Sequence, residues 1–264
     1  MPPRTGRAVR PRDAATLIVL RRDGPKPRVL MGRRHGGHDF MPDKWVFPGG
    51  RIDPSDFRAP VASELRPEVA HRLATTAQPR RGRALALSAI RETFEETGLL
   101  LARPGQYRPI AGPWRLFLEQ GALPDLGALD YIARAVTPPM VPKRYDARFF
   151  MADAEHLISL DRQADCGELD EIAWFDLEEA LALDLPTVTG FVLREIPLKL
   201  ADPHRPGRGR SDQEAERAGL AQVQHVSEHR RPGQEVAEEL HQRHVAQVDQ
   251  VVVQKLDERD LLAL

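Results

Sequence analysis

The run Arg91-Glu92-Thr93-Phe94-Glu95-Glu96-Thr97-Gly98-Leu99 constrains this chain more than any other stretch. From Ala84 to Thr97 good helix formers carry an apolar stripe, Leu87, Ile90 and Phe94, spaced by three and four residues. Gly98 can take the left-handed conformation that ends a helix. Glu92, Glu95 and Glu96 stand at i, i+3 and i+4, which predicts carboxylates gathered on a second face. Like charges near a helix C-terminus repel one another, and the macrodipole gives them no help there. A divalent cation relieves that repulsion, and a carboxylate-only donor set favours a hard ion such as Mg²⁺ or Mn²⁺. The competing reading of the same three residues is a solvated acidic face.

The approach to this helix decides between them. Trp45-Val46-Phe47 reads as a short apolar strand entering the tight loop Pro48-Gly49-Gly50, with Arg51-Ile52-Asp53-Pro54 beyond it. Loop and helix together resemble the Nudix hydrolase superfamily, whose box opens with glycine and closes in Arg-Glu-hydrophobic-X-Glu-Glu-X-Gly-hydrophobic. Gly50 matches the opening, and Arg91 to Leu99 match the close, with Thr93 a poor fit at the hydrophobic position. Five residues separate Gly50 from Asp56, which stands where the family has a glutamate and, being shorter, has a weaker claim as a ligand. The family then allows seven residues before the arginine; here thirty-four intervene, an insertion of 27. The extra loop adds only about 1–2 kcal/mol of closure entropy, so a divided box can still assemble. This interrupted box is similar to a Nudix branch related to eukaryotic coenzyme A diphosphatases. Thr137-Pro138-Pro139, Arg144-Tyr145-Asp146 and Arg148-Phe149-Phe150 add to that likeness.

The resemblance implies an α/β (α+β) fold, an α/β/α sandwich with a mixed sheet and helical insertions. It implies hydrolysis of a diphosphate linkage in a nucleoside diphosphate derivative, with Mg²⁺ or Mn²⁺ as cofactor held by Glu92, Glu95 and Glu96. Glu96 is the foremost ligand, and Arg91 pairs with a box carboxylate. The general base is left open among the box glutamates, Glu168 and Glu171. Gly49, Gly50, Arg33, Arg34 and Arg51 are assigned to the substrate side, where guanidinium groups grip phosphate oxygens. Coenzyme A or an acyl-CoA is the favoured substrate, against NADH, ADP-ribose, a nucleotide sugar or a dinucleoside polyphosphate. A degenerate Nudix ligand-binding module is the reading from a different class.

With 264 residues, 38 Lys plus Arg against 39 Asp plus Glu and one cysteine, the chain offers no bulk charge for nucleic acid and no intrachain disulfide. It has no run of eighteen apolar residues. The expectations are a cytoplasmic location, a small-molecule diphosphate substrate, no nucleic acid and no membrane, with a homodimer as one option for the assembly. Residues 1–13 read as a flexible arm, 14–200 as the catalytic domain with its insertion at 57–83, and 201–264 as linker and polar tail. The tail has no aromatic residue and no buried-strand pattern, which suits a helical appendage, a disordered tail or an oligomerisation arm.

Within the domain, Ala14–Leu20 and Arg28–Gly32 read as a hairpin, and Tyr131–Val136, Arg148–Ala152 and Ile172–Phe175 as further strands. Ala62–Leu73 suits a short helix, Gln78–Arg83 a basic loop, and Pro113–Leu118 a packed helix. Asp176 with Glu179 predicts a capping box, and a last helix runs from Pro186 to about Leu200.

Overall fold

The computed structural model describes residues 9–36, 43–108, 111–139, 143–161 and 169–201, together with the backbone of 252–254. Strand β1 (Arg12–Arg21) is its centre. One edge of β1 runs parallel to β8 (Tyr145–Asp153) from Arg12 to Leu20. The other edge is shared. It pairs with β2 (Arg28–Arg34) only at Leu20 and Arg21, and with β4 (Gly49–Arg51) at Ala14 to Thr16. Past the turn β1 and β2 therefore diverge, and the segment from β3 (Trp45–Val46) to β4 fills the fork. Leu17 N–H donates to Pro48 O at 3.0 Å there, and β3 pairs with β2 at Gly32 and Arg33. Strand β9 (Leu169–Asp176) covers the far edge of β2, and β7 (Asp130–Val136) that of β8. The small ribbon β5 (Ala102–Pro104) with β6 (Ala122–Pro124) stands apart.

Alternation along β1 explains the layers. Ala15, Leu17 and Val19 face α1 (Pro67–Ala74) and α2 (Pro79–Thr97), where they meet Leu73, Leu85, Ala89, Ile90 and Phe94. Ile18 and Leu20 face the opposite way, toward Val192, Leu193 and Ile196 of α5 (Thr187–Ala201). Helix α4 (Leu177–Ala182) starts on Asp176, whose capping box with Glu179 forms as expected. Each Leu or Ile fully buried between these layers contributes about 1.5–3 kcal/mol. The result is the mixed-sheet α/β/α sandwich that the Nudix resemblance implies. No helix among the described residues is long and apolar enough to cross a membrane.

The insertion is docked on the sheet. Val69 and Leu73 of α1 are buried, Arg66 donates to Leu129 O, and Arg72 donates to Tyr131 O at 2.7 Å. Arg148, 2% exposed, reaches across to Thr76 O. Several boundaries differ from the sequence reading. Helix α1 starts at Pro67 rather than Ala62, because Pro67 sits in its first turn while Ser63 is drawn into a bridge with Asp125. Gln78–Arg83 is no loop: Pro79 opens α2, and Gly82 lets that first turn lie against Leu73. The packed helix α3 is Arg115–Glu119. Arg12 and Asp13, assigned to the arm, begin β1, since β8 offers them partners. In the tail, Val252–Gln254 forms a strand, β10, antiparallel to β7, in a stretch without a buried-strand pattern. The rest of the tail lies outside the described residues.

Candidate active site

Loop and helix of the divided box meet in the fork of the sheet. Gly49 N–H donates to Glu96 Oε2 at 3.0 Å, and Glu96 is 5% exposed. A Cβ on Gly50 would fall 2.4–2.6 Å from the carboxylate atoms of Glu92, and one on Gly49 would fall 2.6 Å from Ala15 O. Only glycines let the loop run this close to both helix and strand. Gly98 closes the helix in the left-handed conformation, with φ at 73°.

Beneath the loop lies a buried ion cluster centred on Arg91. Its Nε donates to Asp56 Oδ1 at 2.9 Å and its Nη2 to Asp56 Oδ2 at 3.2 Å and to Arg51 O at 2.9 Å. Its Nη1 lies 2.6 Å from Glu95 Oε2 and 3.0 Å from Glu92 Oε1. Burial alone would disfavour the Arg91 charge, but Asp56, Glu92 and Glu95 outweigh it and push the guanidinium pKa up. Asp56 is fully buried and also accepts from Trp114 Nε1 at 2.9 Å and from Asp53 N–H at 2.7 Å. Asp53 caps the turn Pro54–Phe57; burial would raise its pKa, yet hydrogen bonds from Ser55 and the charge of Arg91 hold it below the ordinary carboxylate range.

Glu92 and Glu96 border a cleft of about 1100 Å³ together with Gly49 and Gly50. Arg34, Arg51, Arg81, Lys143, Arg144 and Tyr145 are among its other walls. Arg81 Nε donates to Asp13 Oδ2 at 2.5 Å, and Arg144 donates to Thr137 O and Val9 O, so the start of β1 and its lead-in form part of the rim.

The structure thus brings Gly49, Gly50, Arg34, Arg51, Arg91, Glu92 and Glu96 to one cleft. Glu95 turns to Arg91 instead, drawn by a guanidinium one helical turn away. The gathering of all three glutamates expected from their spacing is therefore not seen, and among the described residues no three His, Cys, Asp or Glu side chains lie close enough to share an ion. A Mg²⁺ or Mn²⁺ that keeps waters and takes one or two carboxylates plus phosphate oxygens still fits the Glu92–Glu96 pair. Arg33 does not line the cleft, although Arg34 beside it does, because neighbours on a strand face opposite ways. Arg33 lies 3.6 Å from Glu171 across the β2–β9 ladder, and Glu171 is likewise outside the cleft lining. Glu168 lies outside the described residues. Arg148, which belongs to the Arg148-Phe149-Phe150 run of the family likeness, is buried toward Asp146 and Thr76 and does not line the cleft. Two parts of the site escaped the sequence reading. Trp114 signalled only a packed helix, and Arg81 only a basic loop.

A family model described as NUDIX domain matches residues 10–192. The crystal structure of a NUDIX hydrolase from Alicyclobacillus acidocaldarius superposes with a TM-score of 0.54 at 32% identity, covering 71% of this chain and 91% of that one. The acyl-coenzyme A diphosphatase NUDT19 of Gallus gallus is 29% identical over 209 residues, 54% of this chain and 55% of the relative. The chain spans about half the length of the curated relatives it matches.

Proposed function

The chain belongs to the Nudix family, and on that footing we propose that it is a divalent-metal-dependent diphosphatase acting on a nucleoside diphosphate derivative, with coenzyme A or an acyl-CoA as substrate. The observation that carries this reading is the pair Glu92 and Glu96 beside the Gly49-Gly50 loop, in a cleft whose walls hold Arg34, Arg51, Arg81, Lys143 and Arg144. Two carboxylates facing that many cations suit a polyanionic ligand whose phosphates meet both a metal and guanidinium groups. The likeness to a relative named an acyl-coenzyme A diphosphatase supports the choice of substrate.

In this reading Glu92 and Glu96 would hold the ion, which when bound neutralises phosphate charge and lowers the pKa of water. Gly49 and Gly50 let the substrate's phosphates approach the backbone. The buried Arg91 fixes the Glu92 carboxylate, and the wall cations orient the substrate. Water adds to one phosphorus, the bond from that phosphorus to the bridging oxygen breaks, and the water proton passes to a box carboxylate. Glu171, paired with Arg33 away from the cleft, is the weaker candidate for that proton. From coenzyme A the products are 3′,5′-ADP and 4′-phosphopantetheine.

A second reading, a ligand-binding module without turnover, draws on Asp56 in the place of a glutamate and on Arg91 contacting both Glu92 and Glu95. One experiment separates the two. Coenzyme A, an acyl-CoA, NADH, ADP-ribose and nucleotide sugars are incubated with the chain and Mg²⁺ or Mn²⁺, and products are identified by mass. Metal-dependent release of the two phosphate-bearing halves supports the diphosphatase; binding without cleavage of any of them supports the module.

A further inference from the structure

We propose that Trp114, which lies outside both halves of the box, is a positioning residue for the carboxylate pair: its indole N–H fixes Asp56, Asp56 fixes Arg91, and Arg91 fixes Glu92. The inference rests on the diphosphatase reading of the same site. Trp114 is fully buried, and its Nε1 donates to Asp56 Oδ1 at 2.9 Å. Arg91 Nε donates to that same oxygen at 2.9 Å, while Oδ2 takes Arg91 Nη2 at 3.2 Å and Asp53 N–H at 2.7 Å. Four donors from three directions leave the carboxylate no freedom of tilt. Asp56 is one methylene shorter than the glutamate of the family box, so its carboxylate reaches Arg91 from closer to its own backbone. Trp114 holds it there from the far side.

A buried indole N–H needs some acceptor, and a nearby carbonyl would satisfy that need. Here the acceptor is instead a charged group one residue removed from the cleft carboxylates, and a charged hydrogen bond is stronger and more directional than a neutral one. The next link is equally short: Arg91 Nη1 stands 3.0 Å from Glu92 Oε1. The ring of Trp114 grips the box helix by a second route. It packs edge-on against Phe117 with centroids 5.2 Å apart, and Phe117 packs against Phe94 of α2, also at 5.2 Å. Phe117 belongs to the packing route alone, so it separates a positioning role from a merely structural one.

The test is Mn²⁺ affinity, read by electron paramagnetic resonance of the free ion with the full chain, alongside thermal unfolding. Trp114→Phe keeps a ring and removes the donor; the expected result is Mn²⁺ binding weakened about tenfold, the range found when outer partners of metal ligands are lost. Phe117→Leu is expected to lower the unfolding temperature while leaving Mn²⁺ affinity within about twofold. If Trp114→Phe does not fold, 3-benzothienylalanine at position 114, which keeps the ring shape and lacks the N–H, is expected to give the same loss. Mn²⁺ affinity unchanged in a folded chain lacking the donor, or reduced equally by Phe117→Leu, overturns the proposal alone. A native chain that binds no Mn²⁺ overturns the proposal together with the diphosphatase reading beneath it.

Discussion

Gly49 N–H meets Glu96 Oε2 at 3.0 Å, joining the loop of the box to the last turn of its helix across 47 residues of sequence. The contact needs an acceptor oxygen, not a charge. Glu96→Gln keeps that oxygen, so the loop stays in place and the fold is expected to be unchanged. What goes is the negative charge on the cleft. Turnover is expected to fall at least ~100-fold, with substrate binding still detectable. Steady-state rates and a binding titration check this, and near-normal turnover removes Glu96 from the metal site.

The two loop glycines are expected to fail differently. The atoms nearest a methyl on Gly50 are the carboxylate end of the Glu92 side chain, which can swing aside. Gly50→Ala should therefore displace the carboxylate, weakening Mn²⁺ binding about tenfold with little change in stability. A methyl on Gly49 meets the backbone of Ala15 and Thr16, which cannot move without parting the sheet. Gly49→Ala should cost about 1–3 kcal/mol in a denaturant titration.

Acid should weaken one particular link between sheet and insertion. Burial alone would raise the Asp146 pKa, but hydrogen bonds from Arg134 and Arg148 more than offset it and hold it below the ordinary 3.8. A depressed folded value adds stability above the unfolded pKa, and that stability is lost as pH falls through the folded value. Asp146→Asn also leaves the buried Arg148 without its carboxylate, at 2.5 Å in the native chain. The variant should be about 3–5 kcal/mol less stable at neutral pH. The gap should be flat above about pH 5 and close as pH drops below 3.8. A gap that does not change with pH would dismiss this account of Asp146.

Arg81 extends the cleft three helical turns from Glu92. Eleven residues bring it back to nearly the same face of α2, about 16 Å along the axis. That suits a second anionic group on a substrate whose diphosphate sits near Glu92 and Glu96. Arg81→Ala should raise KM about tenfold with kcat within about twofold, the loss of one charge-assisted hydrogen bond. Initial rates on the substrate that responds in the product panel decide it; a fall in kcat at unchanged KM would place Arg81 elsewhere in the reaction.

What could be read from sequence was local. The apolar run of β1, the Asp176–Glu179 cap and the Gly98 helix end each follow from a few adjacent residues, and each forms. The start of α2 was hidden because proline, glycine and three arginines look like a loop. Pro79 suits a first helical turn, but only the packing of Gly82 on Leu73 makes the turn worth forming. Alternation alone says that Arg33 and Arg34 part company, yet which of them reaches the cleft depends on the β9 partner. The Trp114–Asp56 bond spans 58 residues, and nothing near either residue announces the other. Glu95 shows the same limit at short range: its spacing permits a place with Glu92 and Glu96, and a buried arginine takes it instead.

Because Val9 and Pro11 line the cleft and Arg144 holds the Val9 carbonyl, the chain enters the fold along the mouth of its own binding site. Any affinity tag or fusion partner placed ahead of Met1 joins the fold through Val9, which stands at the opening through which ligand passes. Removing such a peptide before crystallisation or kinetics is thus a matter of access as well as of hygiene, and untagged preparations are the ones whose apparent affinities describe the pocket itself.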